Sequence, residues 1–298
     1  MCGIVGLFLK DARLEPELGR LTAGMIRVLS DRGPDSAGFA VYGAAGGGVK
    51  LTLRVPAGAD ARVLVAELGR ALGTELAVVV RADHAVVTVP AAKEPAVRAA
   101  LARLSPDTQV VGTGSRMELY KAVGDPGTVC ARLGLEQMSG THAIGHTRMA
   151  TESAVTTAGA HPFSTGPDQC LVHNGSLSNH NNVRRVLAHD GQHFDTDNDT
   201  EVAAGYLSWR LSRGDTLGAA LTAALDDLDG FYTFVVGTAT GFGVLRDRVA
   251  CKPAVLAETD SYVAFGSEYR ALAGLPDIET AHIFEPEPAR VYSWDRAA

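Results

Sequence analysis

Short apolar runs separated by turn-rich segments set the rhythm of this chain. The opening run, CGIVGLFL, ends at Lys10 and Asp11 and has the length of a buried strand, which puts Cys2 at the strand's very start. Leu14, Leu18, Leu21, Met25 and Leu29 recur at intervals of three and four, predicting an amphipathic helix that stops before SDRGPDS. AGFAVYG then reads as a second strand. A flexible AAGGG at 44–48 marks a change of pattern that lasts to about 140. Within it Val49 to Val55 reads as a strand, 60–72 as a helix, LAVVV and HAVVTV as a hairpin across RAD, 93–104 as a helix and TQVVGTG as a strand. That order is ferredoxin-like and predicts a small inserted α/β subdomain over 46–139. The next stretch, MELYKAVGDPGTVCARLGL, reads as a helix, a turn at Asp125-Pro126-Gly127 and a second helix. Beyond 140, strands (THAIGHTRM, QCLVHNG, FYTFVVGTATGFGVLRD, SYVAFGS, RVYSW) are interrupted by helices near 178–189, 199–213 and 215–228. Helices follow helices rather than alternating strictly with strands, so the expectation is an antiparallel α+β layered fold.

Composition narrows the function classes. With 46% apolar and 20% charged residues in 298, the chain is of the folded globular type. A formal charge of −7 without any Lys/Arg cluster argues against a nucleic-acid or anionic-membrane surface. No apolar run reaches the ~18 residues of a membrane span, and no basic segment with a long apolar stretch opens the chain. The expectation is a cytoplasmic protein. Four cysteines, at 2, 130, 170 and 251, are too scattered for a disulfide framework or a zinc knuckle. Cys130, Cys170 and Cys251 read as small core or semi-buried residues.

Cys2 has two readings. It can be a small apolar residue opening a buried strand, or, once Met1 is removed, a nucleophile whose own α-amine serves as its base. Its company bears on the choice: CGIVG at 2–6, RGPDSAG at 32–38, GHTRMAT at 145–151, AHPF at 160–163, HNGSLSN at 173–179, DTE at 199–201, RDRVACKP at 246–253 and FGSE at 265–268. As an ordered set these resemble the class II glutamine amidotransferase family, over about 1–43 and 140–298. The resemblance implies a four-layer αββα N-terminal-nucleophile hydrolase sandwich, here interrupted by the ferredoxin-like subdomain.

It also implies roles. Cys2 would attack the side-chain amide of L-glutamine, with the Asn174 side chain and the Gly175 backbone N–H as the oxyanion hole. Arg148 would clamp the α-carboxylate and Asp199 would hold the α-ammonium. Asp199 also reads as an ordinary helix N-cap. Thr151 and His161 match pocket positions, His161 equally as a structural hydrogen-bonding residue, and Arg32 matches a glutamine-binding loop or is a structural ion-pair residue. Met149 and Glu152 depart from the commonest family pattern, an aromatic residue and a histidine respectively. No metal is expected: DTDND lacks the glycine and the terminal glutamate of a calcium loop, and the pairs His142/His146 and His189/His193 lack zinc companions.

The inserted segment and the GTGSRMELYKAVGDP stretch resemble stand-alone amidotransferase subunits of split glutamate synthases, including the N-methylglutamate synthase kind. That likeness implies a hetero-oligomer: this chain without a cofactor of its own, passing ammonia to a glutamate-synthase-like partner that carries a flavin and an iron–sulfur cluster. Two other readings stay open from the residues, a free-standing γ-glutamyl amidohydrolase and a catalytically silent structural or regulatory subunit.

Overall fold

A computed structural model of the chain describes residues 2–150 and 154–296. The opening run forms β1 (Gly3–Leu9), followed by a 3-10 turn over Ala12–Glu17 and then α1 (Leu18–Val28), so the predicted first helix begins one turn later than Leu14. After β2 (Ser36–Tyr42) come β3 (Val49–Arg54), α2 (Ala61–Leu72), β4 (Ala77–Arg81), β5 (His84–Val89), α3 (Glu94–Leu104) and β6 (Gln109–Gly114). The chain continues with β7 (Met117–Val123), α4 (Pro126–Leu133), β8 (His142–Arg148), β9 (Phe163–Gly166) and β10 (Gln169–Leu177). Three helices follow, α5 (His180–His189), α6 (Asp199–Ser212) and α7 (Leu217–Asp227). The last strands are β11 (Gly230–Gly237), β12 (Gly241–Arg246), β13 (Val255–Glu258), β14 (Tyr262–Gly266), β15 (His282–Phe284) and β16 (Val291–Asp295).

Strand alternation builds the layers. In β1, Val5, Leu7 and Leu9 face a core shared with α1 and α4, while Ile4 and Phe8 face a second core between two sheets. One antiparallel sheet has the order β15-β13-β14-β1-β8-β2-β7, the other β16-β12-β11-β10-β9. Val172, Val235, Phe242 and Val244 from the second sheet meet Ile4, Phe8, Ile144 and Phe265 from the first. Tyr232, Phe234 and Leu245 point the opposite way, onto α6 and α7. The result is the helix, sheet, sheet, helix stack expected of the chain. Among the described residues no helix is long and apolar enough to cross a membrane.

The third sheet, β4-β5-β3-β6, is the ferredoxin-like unit, covered by α2 and α3 over a core of its own. It occupies 49–114 of the stretch 46–139. Residues 117–123, read from sequence as a helix, are instead the edge strand β7, paired with β2 from Tyr42↔Met117 to Ser36↔Val123. The reading failed because β7 is apolar on both faces, Tyr120 and Ala122 toward one core and Met117 and Leu119 toward the other, so it has no period of two. The expected turn at Asp125-Pro126-Gly127 is the start of α4: the Asp125 carboxylate accepts from the Thr128 N–H at 2.8 Å and Pro126 takes the first turn, where no N–H is needed.

Asp168, in the β9–β10 turn, secures the chain's return from the inserted unit. Its buried carboxylate accepts from the backbone N–H groups of Ser115, Arg116 and Met117 at 2.7–2.8 Å and from the Ser115 hydroxyl at 2.9 Å. An ideal Cβ at Gly114 would lie 2.1 Å from that carboxylate, so the approach requires glycine there.

The inter-sheet core is tightest where Phe242 lies over Gly6, whose ideal Cβ would sit 2.6 Å from the ring. Phe242→Ala is therefore expected to cost about 3–5 kcal/mol, read as a lower urea midpoint at unchanged slope.

Candidate active site

The thiol of Cys2 sits where β1 enters the first sheet. The Met149 N–H donates to its Sγ at 3.4 Å and the Met149 carbonyl lies 3.7 Å from it, so the backbone just beyond β8 holds the sulfur. The Cys2 carbonyl accepts from Arg32 Nε at 3.1 Å and from Asn174 Nδ2 at 3.2 Å. Arg32, half-buried, also makes an ion pair with Glu268, so its guanidinium braces the residue that carries the thiol.

Asn174 and Gly175 come from the middle of β10. Tyr232, opposite Gly175, spends its own N–H on the Asp247 carboxylate and its carbonyl on the Asp247 N–H. Gly175 and Tyr232 are thus a non-hydrogen-bonded pair, and the Gly175 N–H points away from β11. The neighbouring odd positions confirm the row: His173 offers its carbonyl to His146 and Leu177 its N–H to Asp199. Gly175 has φ +138° and an ideal Cβ there would lie 1.9 Å from the Phe231 carbonyl. Both the conformation and the space require glycine.

These residues open onto one cavity of about 920 Å³, which Cys2, Asn174 and Gly175 line together with Arg148, His161, Asp199 and Lys252. Its walls carry opposite charges: Arg148 closes β8 and Lys252 lies beside Cys2, while Asp195, Asp197 and Asp199 line the α6 side. Such a pocket suits a zwitterion with a polar side chain reaching the thiol. The N-cap of α6 is Asn198, whose side chain accepts from the Thr200 N–H at 2.8 Å. Asp199 is not the cap, a correction to the alternative reading from sequence; its carboxylate accepts the Leu177 N–H at 2.9 Å and still borders the cavity. Thr151 and Glu152 lie outside the described residues.

Three buried histidines cluster at this wall: His161 and His173 line the cavity and His146 stands behind them. His161 Nε2 and His173 Nδ1 both bond the Thr200 hydroxyl, at 2.7 and 3.0 Å, and the His146 and His161 rings stack with centroids 4.2 Å apart. His161 thus both borders the cavity and makes a hydrogen bond that anchors α6. Burial pushes His146 down to about 3, His161 well below its ordinary value and His173 downward. Lys121 is buried behind the same wall. Its ammonium donates to the carbonyls of Ala158 and Ala160 at 3.2 and 3.0 Å, and desolvation brings it down to about 8.

Sequence reasoning brought Cys2, Asn174, Gly175, Arg148, Asp199 and His161 to this cavity, with Arg32 in the adjoining recess. It passed over Lys252, Ser267, Glu268 and His173 and weighed His146 only as a metal ligand, although RDRVACKP, FGSE, HNGSLSN and GHTRMAT contain them. His142, in the inter-sheet core, is likewise pushed down to about 3 by burial.

The chain resembles known proteins over nearly its whole length. A family model of the glutamine amidotransferase domain matches residues 135–286. The glutamine amidotransferase-like protein GlxB of Rhizobium meliloti (strain 1021) is 62% identical over 99% of this chain and 98% of that protein. A putative glutamine amidotransferase of Methanothermobacter thermautotrophicus is 34% identical over 98% of this chain and 99% of its own. Among solved structures, the allosteric regulatory enzyme of purine biosynthesis has a TM-score of 0.64, and the B. subtilis glutamine phosphoribosylpyrophosphate amidotransferase 0.63. Both are 20% identical over 99% of this chain, which spans only 47% of each of those chains.

Four buried histidines, 142, 146, 161 and 173, have folded pKa values below the unfolded one. For His142 and His146, held down to about 3, the unfolded chain binds protons between pH ~6.5 and ~3 that the folded chain refuses, so the stability they carry is present above ~6.5 and lost as pH falls, at about 1.4 kcal/mol per pH unit for each; His161 and His173 act in the same direction. Denaturant melts from pH 7 to 4.5 should show the unfolding free energy dropping with a slope of more than one proton.

Proposed function

This chain belongs to the glutamine amidotransferase family and has its N-terminal-nucleophile hydrolase fold; from that premise we propose that it hydrolyses L-glutamine through a Cys2 thioester and delivers the ammonia to a synthase on another polypeptide. The observation that carries the reading is that Cys2, Asn174 and Gly175 line one cavity together with Arg148 and Asp199.

In this reading Met1 is removed and the freed α-amine of Cys2 takes the thiol proton. The sulfur attacks the γ-amide carbon, and the developing oxyanion is met by Asn174 Nδ2 and the Gly175 N–H. The proton passes to the leaving nitrogen, the C–N bond breaks and ammonia departs. Water then opens the γ-glutamyl thioester, giving glutamate and restoring the thiol. Arg148 provides the fork for the α-carboxylate and Asp199 the anion for the α-ammonium, which fixes the amide over the sulfur. Thr151 would complete the pocket. The glutamate-synthase type of partner, with a flavin and an iron–sulfur cluster, rests on the sequence likeness of the inserted segment, and the lack of a phosphate-loop signature in that segment supports a synthase on another polypeptide.

Intact-mass measurement before and after reaction with 6-diazo-5-oxo-norleucine tests the mechanism. The expected result is loss of the Met1 mass and a single adduct mapped to Cys2; retained Met1 and no adduct, even with the partner present, would overturn it. Cys2→Ala should lower glutamine hydrolysis to background. Gly175→Ala, which both strains the backbone and closes on Phe231, should lower kcat by at least ~10²-fold, as loss of one oxyanion donor does.

A further inference from the structure

His146 does not border the cavity, yet its ring touches the amide that does. We infer that His146 is a positioning residue for glutamine hydrolysis, which sets the Asn174 side chain so that its NH₂ group, not its oxygen, faces the Cys2 end of the site. The inference rests on the reading of Asn174 as an oxyanion donor.

Donors and acceptors fix the orientation. His146 Nε2 lies 3.2 Å from the His173 carbonyl and 3.2 Å from Asn174 Oδ1. A backbone carbonyl can only accept, so Nε2 must carry the hydrogen. An Nε2–H can only donate, so Asn174 must turn its oxygen toward His146. The NH₂ group is thereby directed the other way, where it meets the Cys2 carbonyl at 3.2 Å and Ser267 Oγ at 3.4 Å. The flipped amide would set oxygen against the Cys2 carbonyl and N–H against N–H, two repulsions in a dry site. The fixed point of the chain is the His173 carbonyl, which belongs to the residue preceding Asn174, so the packing of β10 against β8 across the two facing sheets sets both.

The surroundings keep the imidazole in this one form. His146 is 1% exposed, its ring stacks on His161, and burial together with the nearby His173 and Arg148 disfavours a second proton, so Nδ1 stays bare. A neutral ring with a single N–H pointed at two acceptors has no alternative tautomer of comparable energy. Because His146 stands behind the wall and does not reach the cavity, removing it should leave glutamine affinity in place.

The test joins kinetics with a measurement that needs no activity. His146→Leu is expected to lower kcat for glutamine by ~10²-fold with KM within ~2-fold, with iodoacetamide alkylation of Cys2 unchanged, since alkylation uses no oxyanion hole. His146→Gln, whose amide N–H can replace the donor, should recover most of that kcat. On an Asn174→Ala background His146→Leu should add little, because the two act as one unit. Full kcat in His146→Leu, or additive losses in the double variant, would overturn the inference. Nitrogen NMR of the wild-type imidazole decides independently of turnover: the Nε2–H tautomer with no titration down to pH ~5 supports the inference, and the Nδ1–H tautomer overturns it. Should wild type neither hydrolyse glutamine nor label at Cys2, the proposed function falls, while the tautomer and the Asn174 amide shifts in His146→Leu still decide the orientation of the amide.

Discussion

The register of β1 between β8 and β14 is the constraint on which the rest depends. Gly3 is opposite Thr147 on one side and Val5 opposite Gly266 on the other, which brings Cys2 level with Arg148, its thiol within reach of the Met149 N–H, and Ile4 level with Ser267. A slip of one residue would exchange the two faces of the strand, sending Ile4 and Phe8 out of the inter-sheet core and Val5 and Leu7 into it. The glycines allow no tolerance: β1 passes under Phe242 at Gly6, and beside Thr147 and Leu29 at Gly3. The position of the thiol is therefore a by-product of core packing, with Arg32 and Asn174 finishing the placement through the Cys2 carbonyl.

The polar layer around that thiol is built by exclusion. His146, His161 and His173 are neutral because they are buried, and neutral rings act as fixed donors rather than as switches. Thr200 joins two of them to α6, whose first residue is Asp199. The cavity surface carries both signs of charge, Arg148 and Lys252 opposite three aspartates, and the Lys121 ammonium stands behind its wall on the carbonyls of Ala158 and Ala160. A zwitterion entering the cavity would find complementary poles already set, and the interior behind them would not need to rearrange.

Much of this was legible in the sequence, and the exceptions share a cause. Apolar period and turn residues located β1, the ferredoxin-like strands and helices, and the three helices after β10. β7 escaped because a strand buried on both faces has no period, and β9, β13 and β15 because three or four residues carry too little pattern. At the site, Cys2, Asn174, Gly175, Arg148 and Asp199 stood out through their motifs. His146 and Thr200 did not, since their importance comes from which atoms face them across 27 residues or more. Asp199 looked like a cap because Asp favours that position, yet Asn198 one residue earlier holds it.

Tyr42 and Met117 are direct partners across β2 and β7, so the inserted unit leaves and re-enters the main sheet at a single point. Geometrically it is a bubble blown in the tip of a hairpin, and a short turn could close the gap it would leave. Asp168 is one of its ties to the rest, beside the Lys50–Glu118 ion pair: its N–H donates to the Thr113 carbonyl and its carboxylate depends on donors from Ser115, Arg116 and Met117. Any shortened relative of this architecture must either keep that row of N–H groups or lose the aspartate with the insertion, for a buried carboxylate stripped of its four donors would cost more than the excision saves.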